Sequence, residues 1–78
     1  MNRYTLSEEG RWRFRRIKLK GNTEMARMEG YEVLDYLYEN GPGTVEEIAQ
    51  YAGLSRVQAM DRLWAFIHQR LVEKSVDL

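Results

Sequence analysis

The chain has 78 residues, of which 44% are hydrophobic, 31% charged and 12% aromatic, a mixture that can build one small domain with a thin core. The absence of cysteine excludes a disulfide framework and a thiolate zinc site, and no apolar run approaches the roughly 20 residues that span a bilayer. The first residues, MNRYTLSEEGR, lack the apolar segment of a signal peptide, so a soluble chain of the cytoplasm, away from membranes, is the expectation.

The formal net charge of zero hides a split. Residues 1–22 carry seven basic side chains against two acidic ones, whereas residues 23–78 carry five against ten. A basic segment is thus joined to an acidic body. It can meet phosphates or lie against the body of its own chain.

Within the basic segment, Arg11–Lys20 reads RWRFRRIKLK. On a helix Trp12 and Leu19 share one side, with Phe14 and Ile17 on roughly the other. On a strand Trp12 and Phe14 share a face, as do Ile17 and Leu19. The phase slip at Arg15-Arg16 then suits a β-bulge. Arg3–Leu6 can be extended and Ser7-Glu8-Glu9-Gly10 turn-like, so residues 1–22 read first as a strand or hairpin arm. The alternative is a helix capped by Ser7 with Glu8 and Glu9 in its first turn.

Gly21-Asn22-Thr23 breaks this segment, and Asn22 or Thr23 can cap a helix running to about Asn40. Met28, Tyr31, Leu34, Leu37 and Tyr38 recur at helical spacing along it, with acidic residues between them. Gly30 weakens that helix by about 1 kcal/mol relative to alanine. Asn40-Gly41-Pro42-Gly43 ends it. Thr44 and Glu47 form a capping box for the next helix, which Gly53 stops. Ser55 caps a third helix from Arg56 to about Arg70, with Ala59, Leu63, Phe66, Ile67 and Leu71 as its apolar stripe. Val72–Leu78 alternates weakly, as a strand does.

From Ile48 to Phe66 the apolar pattern is I-A-x-x-A-G-L-S-x-x-x-A-x-x-x-L-x-x-F. It resembles the helix-turn-helix of the winged-helix superfamily. Ala49 is small where two helices approach, Gly53 can take the left-handed conformation of a tight turn, and Ser55 caps the second helix. YEVLDYLYENGPGTVEEIAQYAGLS looks like the first two helices of that superfamily with a Thr44-Val45 strand pair between them, and LVEKSVDL like the first wing strand. The resemblance covers about residues 23–78. It implies an α+β fold of three helices with a small β-sheet or wing. The second wing strand does not follow Leu78. Tyr4–Gly10 is similar to the Y-x-L-T-x-x-G segment that often follows a wing, so an N-terminal strand is expected to pair beside Val72–Leu78 and complete the sheet.

The resemblance makes the third helix the recognition helix. Ser55 would bind phosphate, and Arg56, Gln58 and Arg62 would meet bases in the major groove of double-stranded DNA. Val57 and Asp61 do not help on such a surface. Arg11, Arg13, Arg15, Arg16 and Lys18 of the N-terminal segment are candidates for tracking phosphates, while Trp12 and Phe14 are expected in the core. Met60 and Trp64 widen the apolar stripe, which requires cover by the N-terminal strand or a homodimer contact. Tyr31, Tyr36 and Tyr38 raise the same dimer question. His68, the one histidine, has no spaced partner for a metal. Glu46 and Glu47 are explained by helix capping and the helix dipole. With no nucleophile–base set and no phosphate-binding glycine motif, no catalysis, metal or cofactor is expected. Two functions remain: a DNA-binding transcriptional regulator, or a winged-helix module that docks another protein, as the acidic body suggests.

Overall fold

The structure, a computed structural model, describes residues 2–19 and 28–76. The expected break at Gly21-Asn22-Thr23, together with Asp77 and Leu78, lies outside the described residues. The elements in chain order are β1 (Asn2–Leu6), α1 (Glu8–Leu19), α2 (Tyr31–Asn40), α3 (Val45–Ala52), α4 (Arg56–His68) and β2 (Val72–Val76). The chain is α+β, and the described residues hold four helices where three were expected.

The additional helix is α1, which replaces the second strand (Arg11–Leu19) of the expected hairpin and matches the alternative reading of a helix capped by Ser7, while Arg3–Leu6 is extended as expected. Local capping wins over the period-two pattern. The Ser7 hydroxyl accepts from the Gly10 N–H at 2.9 Å and donates to the Arg70 carbonyl at 2.7 Å. Glu8 and Glu9 lie in the first turn and Arg16 and Lys18 in the last, the charge order that a helix dipole favours. Trp12 and Phe14 therefore sit about 200° apart around the helix rather than on one face. Phe14 is buried between Tyr31 and Tyr38, with ring centroids at 5.4 and 5.5 Å, whereas Trp12 faces out. The expectation that both aromatics enter the core holds for Phe14 alone.

The expected pairing of the N-terminal strand with the C-terminal one is present. β1 and β2 run antiparallel, with Tyr4 opposite Lys74 and Leu6 opposite Val72. On its other edge β1 meets Gly43: the Tyr4 N–H donates to the Gly43 carbonyl at 2.8 Å, and the Gly43 N–H returns the bond at 2.9 Å. The residue that pairs with β1 is thus Gly43, not the expected Thr44-Val45 pair, because Thr44, though extended, caps α3 and Val45 is already helical. Alternation along β1 turns Tyr4 and Leu6 inward.

α2 starts at Tyr31, later than the expected Asn22 or Thr23, because Gly30 holds the left-handed conformation (φ 87°) at its N-cap. Phe66 lies so near that a methyl group on Gly30 would come within 2.7 Å of its ring. α4 ends at His68, short of Arg70, which itself has φ 62°. Every element feeds one core: Tyr4 and Leu6, Phe14, Val33, Leu34 and Leu37, Val45, Ile48 and Ala49, Ala59, Leu63 and Phe66, and Val72.

Thr44 and Ser55 cap α3 and α4 as expected, and each cap is a reciprocal capping box. Glu47 and Thr44 exchange bonds at 3.0 and 3.2 Å, and Gln58 and Ser55 do so at 3.0 and 3.1 Å. Ser55→Ala removes the acceptor for the Gln58 N–H and should cost about 1 kcal/mol, read as a shifted urea midpoint with unchanged slope.

Candidate nucleic-acid interface

α3 and α4 join through Gly53 (φ 68°) and Leu54, whose N–H donates to the Ala49 carbonyl at 3.0 Å. Ala49 and Ala59 are buried where the chain needs small side chains. α4 turns Ala59, Leu63 and Phe66 into the core. Its outward stripe carries Val57, Gln58, Asp61, Trp64, Ala65 and His68, all exposed. That stripe holds an exposed, capped helix N-terminus and almost no positive charge of its own.

The expected recognition residues gather at the start of α4, but each has a partner within the chain. Ser55 and Gln58 are held in the capping box. The box uses the Gln58 amide oxygen and leaves its amide NH2 outside. The Arg56 guanidinium is 3.4 Å from Glu46 of α3, with both side chains mostly in solvent. Arg62, on the flank of α4, lies 2.9 Å from Glu29 in the turn before α2. Met60 accepts a hydrogen bond from the Tyr4 hydroxyl at 3.6 Å, so β1 covers it, while Trp64 stays half exposed with its ring 6.2 Å from that of His68.

The candidate phosphate contacts Arg11, Arg13, Arg15, Arg16 and Lys18 are on α1, which packs on α2 and β1. Arg13 pairs with Glu9 one turn back at 2.7 Å. Arg11 stands 5.8 Å from the Tyr38 ring centre, and Arg16 the same distance from that of Trp12. Arg15 is exposed. Lys18 is the exception among these residues. Its ammonium donates to Asp35 at 2.8 Å and to Glu39, both on α2, and lies over the Phe14 and Tyr38 rings. The two carboxylate hydrogen bonds push its pKa well above the ordinary lysine value. Lys18 fastens α1 to α2 and is poorly placed to track phosphate.

Asp35 also accepts from the Tyr51 hydroxyl at 2.8 Å, which raises the Tyr51 pKa and ties α3 into the same cluster. Burial, with the Glu47 carboxylate second, raises that of Tyr36. Nothing in the sequence marks the Asp35 cluster, since its members come from three helices. The Thr44 backbone and side-chain hydrogen bonds hold the Glu47 carboxyl below its usual range. A depressed carboxyl stabilises the fold above its unfolded-state pKa, and that contribution disappears as pH falls through the folded-state value. The stability difference between the parent chain and Glu47→Gln should therefore be constant near neutrality and vanish in acid, as followed by thermal melts across pH.

Among the described residues no group of His, Asp and Glu side chains comes together to hold a metal ion, and no helix is long and apolar enough to cross a membrane. Comparison with protein-family models, with curated proteins and with solved structures finds no match for this chain.

Proposed function

We propose that this chain is a winged-helix DNA-binding module acting as a transcriptional regulator in the cytoplasm. One observation carries the proposal: behind the Gly53 turn, α4 presents a capped, exposed N-terminus, with α3 packed behind it. That is the arrangement a helix needs to enter the major groove end first. Ser55 and the helix N-terminus would face a phosphate, the Gln58 amide NH2 a base acceptor, and Arg56 and Arg62 the groove flanks. The β1–β2 pair, with Arg3 and Lys74 on it, would serve as the wing. Exposed ion pairs such as Arg56–Glu46 contribute only about 0–1 kcal/mol, so phosphate or guanine can displace the glutamates.

The test is a titration with a fluorescent random-sequence duplex at low and moderate salt, followed by site selection. Binding should weaken steeply with salt. On the selected site Arg56→Ala should cost roughly 1–3 kcal/mol. Absence of binding at low salt would overturn the proposal.

A second reading rests on the outward stripe of α4. Val57 is 71% exposed, Trp64 and Ala65 are exposed, and Asp61 repels a polyanion. A protein-docking or homodimer surface there would give association that hardly responds to salt.

A further inference from the structure

We infer that the outward face of α1 is a docking surface for an acidic amphipathic helix of another protein. The inference concerns a different face from α4 and does not rest on the DNA proposal. The inward side of α1 is already used: Gly10 and Phe14 are buried and Lys18 is bound to α2. On the outward side two large apolar side chains remain in solvent, Trp12 at 65% and Leu19 at 76% exposure. They stand seven residues apart, which puts them two turns, or about 10 Å, along one line of the helix. With Glu8, Arg11, Arg15 and Arg16 they line a groove of about 630 Å³.

The spacing and the charge define the occupant. Trp12 and Leu19 supply one apolar position per heptad, with Arg15 and Arg16 between them, so the face offers two apolar anchors two turns apart that leucine-type residues of an amphipathic helix can cover. Three arginines against one glutamate make the rim cationic, so the flanks of that helix must be acidic, and guanidiniums bind carboxylates in paired hydrogen bonds. A second copy laid on the same face would set three arginines against three, and like charges facing each other oppose association. A nucleic-acid backbone would satisfy the arginines but leave Leu19 without a role.

The experiment uses the full chain carrying Trp64→Phe, which leaves Trp12 as the one tryptophan reporter. It is titrated with a synthetic helical peptide bearing leucines on one face and glutamates on its flanks, and with the same peptide carrying lysines in place of the glutamates. The acidic peptide should shift Trp12 emission to the blue and saturate, and the lysine version should bind at least roughly tenfold more weakly. Arg15→Glu/Arg16→Glu should lose at least roughly tenfold in affinity for the acidic peptide with an unchanged circular dichroism spectrum, since both side chains are exposed. Three results would overturn the inference. The first is that neither peptide alters Trp12, or both do so equally. The second is that a single-stranded oligonucleotide binds the face in preference to the acidic peptide. The third is that sedimentation shows a dimer that Trp12→Ala abolishes.

Discussion

Gly10→Ala should strongly destabilise the protein, even though it sits inside a helix where alanine is the better helix former by about 1 kcal/mol. A methyl group there would come within 2.1 Å of the Leu71 carbonyl oxygen and 2.9 Å of its carbon. These are backbone atoms, held by the bond from the Ser7 N–H to the same Leu71 carbonyl at 2.9 Å, so no side chain can swing aside. α1 must lift away, and the Ser7 hydroxyl then loses the Arg70 carbonyl. Overpacking against a fixed neighbour typically costs about 1–3 kcal/mol, and more where backbone must move. The upper end is expected here, a fall of at least about 12 °C in melting temperature for a domain of this size. A neutral or stabilising Gly10→Ala would mean that α1 does not approach the turn after α4.

Phe14→Ala should have an effect at least as large. The ring is 1% exposed and is the largest fully buried side chain of the described residues. Truncating a buried phenylalanine costs about 3–5 kcal/mol through lost transfer energy and the cavity left behind. Small domains have only about 5–15 kcal/mol in total. Without the ring, Tyr31 and Tyr38 face a void, and α1 stays fastened chiefly by Lys18 and by the Ser7 turn. Urea unfolding should show the lower midpoint, and the near-ultraviolet dichroism of the tyrosines should weaken before the far-ultraviolet signal does. Phe14→Leu, which keeps most of the volume, should recover most of the stability. Because Gly10 and Phe14 hold the same helix, the double variant should cost less than the two separate effects added together.

The parts of the fold legible in the sequence are those whose signals are local. Thr44 and Glu47 are three residues apart, so their capping box can be read from spacing. Ser55 is legible as a cap for the same reason, while the return bond from Gln58 emerges only in the structure. Gly41 and Gly53 mark helix ends because glycine takes a positive φ without strain, Gly53 in the left-handed helical region and Gly41 with an extended ψ. The pairing of the N-terminal strand with Val72–Val76 is legible because both stretches alternate, although the pattern also offers Arg11–Leu19 as a rival partner for Arg3–Leu6. α1 is ambiguous because a short apolar run fits either period, and the deciding contact, Ser7 with Arg70, lies far away along the chain. The late start of α2 is hidden for a similar reason. In the sequence Gly30 is a tolerable defect inside a helix, but in the fold Phe66 occupies the space beside it.

For the candidate site, spacing locates the residues on α4 but not their partners. Glu46 beside Arg56 and Glu29 beside Arg62 bring together elements whose approach no periodicity encodes. The same holds for Lys18, which in the sequence is one more cation of a basic arm and in the fold is the bolt between two helices.

The pairing of Asn2 with Val76 also bears on how the chain reaches its fold. Asn2 and Val76 are 74 residues apart, so forming this pair must meet a large loop-closure entropy, and it raises the contact order of a fold whose described residues are otherwise rich in local helical contacts. The helices can gather around Leu37, Ile48 and Leu63 through short connections, whereas β1 and β2 can pair only once that long loop is closed.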